Sequence, residues 1–156
     1  MSAEKRVNLR FVYCLCTDVE AVRSFYTGLL GMSEIGFMDG EEFGWVGYDS
    51  EGMQLMFFRW DRELPPAGGW AWQPGDGAGD LPGMSFSVQV PEEDSAALVQ
   101  GVREAGTETM TASPTWRQDS YWGWTVRDPA GNTVELYWMP SEVPEGDDPV
   151  WSGESG

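Results

Sequence analysis

Apolar and polar residues along this chain switch between two periods, and the switches come in the same order twice. The stretch 8–16 alternates, with Phe11, Tyr13 and Leu15 on one face and Val12, Cys14 and Cys16 on the other, the period of a strand. From Val19 the period lengthens. Val19, Val22, Phe25 or Tyr26, and Leu29 recur at helical spacing, with Asp18 as the N-cap and Gly31 as the stop. Three short strands are predicted next, near 33–38, 42–48 and 52–60, punctuated by Asp39-Gly40 and by Asp49 to Gly52.

The same β-α-β-β-β order then returns. Met84, Phe86, Val88 and Val90 alternate with Ser85, Ser87 and Gln89. Pro91-Glu92-Glu93-Asp94 places acids at a helix start, where the macrodipole favours them, and Leu98, Val99, Val102 and Ala105 supply an apolar stripe that Gly106 ends. Further strands are predicted near 107–112, 120–127 and 133–139. The last follows Asp128-Pro129-Ala130-Gly131-Asn132, a turn in which Arg127 and Asp128 serve as hydrogen-bonding braces. It sets Val134, Leu136 and Trp138 opposite Thr133, Glu135 and Tyr137. The predicted organisation is α+β: a first βαβββ unit over 8–60, a connector over 61–82, a second unit over 83–139 and an acidic tail over 140–156. Phe25, Tyr26, Leu29 and Leu30 are read as helix-to-sheet core.

Composition narrows the function. The 156 residues hold 26 acidic against 9 basic side chains, a formal charge of -17 that repels phosphate backbones and attracts cationic ligands. Nucleic acid is therefore not an expected partner. With no histidine, imidazole acid/base chemistry is excluded and the commonest ligand of zinc, iron and nickel is missing. No run approaches the roughly 18 apolar residues of a membrane span, and the N-terminus lacks a signal-peptide hydrophobic region, so a cytoplasmic protein is expected. Cys14 and Cys16, two apart on one strand, read as small buried thiols. Nine Trp exceed the needs of a small core, and the Gly/Pro-rich connector alone carries Trp70 and Trp72. That connector is expected either to fold over a mouth or to anchor on the protein body.

The tandem units, with Asp18-Val19-Glu20 leading into Ser24-Phe25-Tyr26-Thr27-Gly28-Leu29-Leu30-Gly31 and with Val126-Arg127-Asp128-Pro129-Ala130-Gly131-Asn132 before Val134-Glu135-Leu136, resemble the vicinal oxygen chelate superfamily. That family includes glyoxalase I, extradiol dioxygenases and bleomycin-resistance proteins. The resemblance implies a curved mixed sheet around a cleft, each unit supplying half, with helices on the outer face. It also implies that the ligand positions of metal-dependent members fall on Phe11, Gln54, Gly83 and Glu135. Here the sequence departs from the family: one amide and one carboxylate are too few donors for a tight divalent metal. No metal and no cofactor are expected.

On that alignment, strand parity turns Tyr13 and Leu15 to the cleft with Phe11, and Met56 and Phe58 with Gln54. It likewise turns Ser85, Ser87 and Gln89 with Gly83, and Thr133 and Tyr137 with Glu135. The lining is aromatic and Met-rich with a few polar groups, a ligand-site composition. Trp122 and Trp124 share one face of their strand; core packing and stacking on a planar ligand are both open to them, and they are carried as ligand contacts. For Glu135 three roles stand: a vestige hydrogen-bonded to Gln54, a partner for a ligand's cationic or donor group, or a proton acceptor.

The leading expectation is a metal-free binding protein of the bleomycin-resistance type, which sequesters an aromatic small-molecule or peptide antibiotic as drug resistance or self-resistance. The resemblance implies a homodimer. Two other readings stand beside it. One is a metal-independent isomerase or lyase using Glu135 with Tyr13 or Tyr137. The other is an accessory protein that contacts a biosynthetic enzyme through its Trp-rich surface.

Overall fold

The computed structural model describes residues 9–65, 68–71 and 85–153. Trp72, Gly83 and Met84 lie outside them. The chain forms two compact units, Met1–Leu64 and Pro65–Gly156.

The first unit contains β1 (Phe11–Cys16), α1 (Val19–Arg23), β2 (Glu34–Asp39), β3 (Gly44–Ser50) and β4 (Met53–Arg59). Its sheet runs β1-β4-β3-β2, with β4 parallel to β1 and antiparallel to β3. Asp18 caps α1 as the sequence suggests, its Oδ1 accepting from the Ala21 N–H at 3.0 Å. After α1 the chain widens into a π-helical turn over Ser24–Leu29, where the Leu30 N–H donates to the Phe25 carbonyl five residues back. This turn buries both consecutive rings, Phe25 and Tyr26, as core, although regular helical spacing alone favours one or the other. They pack with Val19 and Val22 against Val46, Tyr48, Leu55 and Phe57, and the Tyr26 ring lies 4.9 Å from that of Phe57. Gly31, at φ +69°, ends the segment.

The π turn also positions Thr27. Its hydroxyl donates to Glu34 at 2.7 Å and meets the Tyr48 hydroxyl at 3.0 Å, while Arg23 Nε donates to the same Glu34 oxygen at 3.0 Å. The Arg23 hydrogen bond, then that of Thr27, holds the Glu34 carboxyl below its ordinary 4.5. Burial pushes the Tyr48 phenol up. A depressed carboxyl stabilises the fold above its unfolded value and loses that contribution as pH falls through the folded one. Glu34→Gln is therefore expected to lower the urea midpoint at pH 7, with the gap to the parent closing as the pH falls below the carboxyl's folded value. A gap of equal size at pH 7 and pH 3 would contradict this account.

The second unit contains β5 (Phe86–Gln89), a 3-10 turn over Glu92–Asp94 leading into α2 (Ser95–Glu104), then β6 (Thr115–Arg117), β7 (Tyr121–Arg127) and β8 (Thr133–Trp138). The sheet order is β5-β8-β7-β6, with β5 parallel to β8, so the first unit's topology recurs. Leu98, Val99 and Val102 of α2 are buried, as are Trp124, Val126, Val134, Leu136 and Trp138 of the sheet. The predicted turn is fixed by Asp128, whose carboxylate accepts from the Ala130 and Asn132 N–H groups, each at 2.9 Å.

The strand predicted near 107–112 is corrected. There the chain pairs with β7 as an isolated bridge, Thr109 to Val126, rather than as a strand. Thr109 and Thr111 hydroxyls donate to carbonyls two residues ahead, and Pro114 has no N–H to continue a ladder. Pairing resumes at Thr115–Arg117, the strand the hydrophobic pattern did not show. The tail covers this edge: Val150 bridges Thr115, and Trp151 packs edge-on to Trp138 at 5.8 Å. Part of the connector anchors too, with Arg127 over the Trp70 ring at 4.4 Å and donating to the Gly69 carbonyl at 3.2 Å. Among the described residues no helix is long and apolar enough to cross a membrane.

Candidate functional site

Each sheet has one face packed on its helix and one open face, and the candidate residues divide between them by strand parity. In the first unit, Phe11, Tyr13 and Leu15 of β1 stand beside Gln54, Met56 and Phe58 of β4, row by row. Their aromatic members form a chain of ring contacts. Phe11 meets Tyr13 at 6.4 Å, Tyr13 meets Phe58 edge-on at 6.1 Å, and Phe58 meets Phe43 at 6.0 Å. Phe11 is 50% exposed, Tyr13 62% and Phe43 48%, so this is apolar surface rather than core. The sequence brought five of the predicted contacts, Phe11, Tyr13, Gln54, Met56 and Phe58, to one face; it did not point to Phe43 or to Trp45, which pairs with Phe58 across β3 and β4.

The second unit's open face is polar. Ser87, Glu135 and Thr125 lie side by side on β5, β8 and β7, and Arg117, opposite Tyr121 on β6, reaches them with its long side chain. Glu135 Oε1 accepts from the Ser87 hydroxyl at 2.7 Å; Oε2 accepts from Arg117 Nη1 at 2.5 Å and from the Tyr121 phenol at 3.2 Å. Arg117 also donates to the Thr115 and Thr125 hydroxyls, at 3.0 and 3.1 Å. Both members of the ion pair are buried, with side-chain exposures of 1% and 8%. Ser85 donates instead to the Thr133 carbonyl at 2.9 Å, and the Tyr137 ring packs against Tyr121 at 5.4 Å.

Trp122 and Trp124 are not on this face. The register sets Tyr121, Gly123 and Thr125 with Glu135 and turns both indoles to the α2 side, where they are 6% and 1% exposed. Trp124 donates its ring N–H to the Thr111 carbonyl at 2.8 Å and lies 5.7 Å from the Arg103 guanidinium of α2. Trp122 packs on Trp116 at 5.3 Å. They occupy the core position that the sequence left open to them.

Arg117, which the sequence did not single out, is the residue that decides what Glu135 does. A signal for it was present: a glycine inside a strand marks close approach of another group. A Cβ on Gly123 would lie 2.7 Å from Arg117 Cδ, so the arginine stem runs directly over the strand there. Gly36 and Gly47 carry the Trp45 ring in the same way.

A divalent metal does not fit the donor set at the family's ligand positions. Phe11 offers no donor atom, Gln54 offers an amide, and both oxygens of Glu135 already accept, one of them from a guanidinium whose charge opposes a cation at the same place. Among the described residues, no three His, Cys, Asp or Glu side chains form a cluster able to hold a metal ion.

Similarity to known proteins agrees with the architecture. No curated protein matches the chain in sequence. Solved structures do match in fold. A mutant of the fosfomycin resistance protein FosX from Listeria monocytogenes, complexed with Mn(II) and 1S,2S-dihydroxypropylphosphonic acid, superimposes with a TM-score of 0.58 at 11% identity over 83% of this chain and 90% of that one. A glyoxylase/bleomycin resistance protein/dioxygenase domain from Frankia sp. EAN1pec gives 0.59 at 16% identity over 88% and 95%, and a glyoxalase family protein from Enterococcus faecalis gives 0.55 at 17% over 83% and 96%. At such identities they show a shared fold alone. The family model described as Glyoxalase/Bleomycin resistance protein/Dioxygenase superfamily matches residues 10–136, spanning both units, and the chain belongs to that superfamily.

Proposed function

We propose that this protein is a metal-free binding protein that sequesters an aromatic natural product, an antibiotic in the simplest case, without transforming it. The observation that carries the reading is the exposed aromatic row Phe11–Tyr13–Phe58–Phe43 on the first unit's open face. Each ring pairing with a planar ligand contributes about 0.5–1.5 kcal/mol beyond area burial, and micromolar affinity needs about 8 kcal/mol in all. Several such contacts, added to the apolar area that the rings and the adjoining Met56 bury against a ligand, reach that without any reacting group. Glu135 is the side chain a metal-independent isomerase or lyase would use, and both of its oxygens already accept hydrogen bonds, from Ser87, Arg117 and Tyr121. FosX is solved with Mn(II); in the present chain the Arg117 guanidinium supplies a fixed positive charge beside Glu135.

Titration with planar antibiotics is expected to quench intrinsic Trp fluorescence, saturating at one equivalent per site. The compound is recovered unchanged, and prior dialysis against a chelator does not alter the midpoint. Recovery of a chemically altered compound after substoichiometric protein would replace this reading with the enzymatic one. Loss of binding on chelation, together with a stoichiometric metal by elemental analysis, would overturn the metal-free part.

A further inference from the structure

Trp45 adjoins the aromatic row on the first unit's open face, as the cross-strand partner of Phe58. It lies on β3 with Phe58 of β4 and Met38 of β2 as its neighbours across the sheet. A Cβ on Gly36 would fall 2.8 Å from Trp45 Cζ3, and one on Gly47 would fall 2.5 Å from Cζ2. Opposite edges of one six-membered ring thus touch two neighbouring strands, because Gly36 and Gly47 are register partners. The indole lies close against the sheet, in the space that side chains at these two facing glycines would fill. The residue is intermediate in burial, so part of the indole stays open on this face.

Asp49 follows on the same face of β3, two residues past Gly47, and is exposed. Among the described residues its carboxylate has no hydrogen bond or ion pair. Two residues advance a strand by about 7 Å, so this charge stands roughly that far beyond the row the indole covers. The chain as a whole carries -17, which adds a long-range field of the same sign.

We infer that Trp45 and Asp49 form a subsite for a flat, fused-ring organic cation, with the rings on the open part of the indole and the positive group at the carboxylate. This rests on the aromatic face being a ligand site and narrows the class of ligand it takes. The competing occupant is a second copy of this chain, which would bring acidic surface against acidic surface; the charge favours the cation.

The test is calorimetric titration of the full chain with proflavine, a flat tricyclic cation, and with acridone, its neutral counterpart. Trp45→Ala is expected to weaken both at least tenfold. Gly47→Ala, which keeps the indole but forces it off the backbone, is expected to do the same. Asp49→Asn is expected to weaken proflavine roughly three- to tenfold and to reduce its salt dependence, with acridone unchanged. If Trp45→Ala fails to melt cooperatively, Trp45→Phe serves in its place, with an intermediate loss expected. Probes that bind the parent and all these variants alike would overturn the subsite while leaving the aromatic-face reading intact. A parent that binds neither probe nor any planar antibiotic would remove both, and dissociation of a dimer by Trp45→Arg would then assign the face to a second copy.

Discussion

Replacing Arg117 by methionine is expected to destabilise the second unit by about 3–5 kcal/mol, because it leaves the Glu135 carboxylate buried without its counter-charge. The two side chains are nearly sealed from water, at 1% and 8% exposure, so solvent screening offers little relief. Glu135→Leu alone is expected to be comparably damaging for the converse reason. The pair Arg117→Met with Glu135→Leu is expected to be far milder than the sum, since removing both charges together removes the need for either. Urea unfolding of the four proteins, followed by Trp fluorescence, gives the coupling directly. Additive single effects would mean that the ion pair contributes nothing as a pair, and Arg117 would then be a packing residue lying over Gly123.

The second large effect concerns Trp124. Truncation to alanine is expected to destabilise by about 3–5 kcal/mol, the usual range for a fully buried Trp, through the lost ring volume and the lost indole hydrogen bond to the Thr111 carbonyl. Binding of a planar probe, measured where the variant is folded, is expected to be unchanged, because the indole faces α2 rather than the open side of the sheet. Weakened binding with unchanged unfolding would return Trp124 to the ligand site and contradict the register. Set beside Trp45→Ala, the pair of variants separates the two uses of tryptophan in this chain: one indole holds the core, the other forms a surface.

Much of the site was legible in the residues. Alternation, started from the positions that the family resemblance implies, grouped Phe11 with Tyr13, Gln54 with Met56 and Phe58, and Glu135 with Tyr137, because side-chain direction along a strand is a local property with a period of two. The same rule put Trp122 and Trp124 together. It did not say which face of β7 would meet the helix, and on that point the two indoles parted from Glu135. The answer required the antiparallel register that sets Thr125 opposite Glu135.

By itself, then, the sequence determined the repeated β-α-β-β-β order, the Asp18 cap, the turn braced by Asp128, and the absence of a donor side chain at Phe11 and Gly83, two of the positions where the family resemblance implies metal ligands. Each of these depends on a residue and its near neighbours. Only the tertiary structure decided that Glu135 is held by an arginine 18 residues away, that a broken edge strand delivers this arginine, and that Trp45 lies on Gly36 and Gly47. Those contacts join separate strands, and their partners are chosen by register and burial, which no local period encodes.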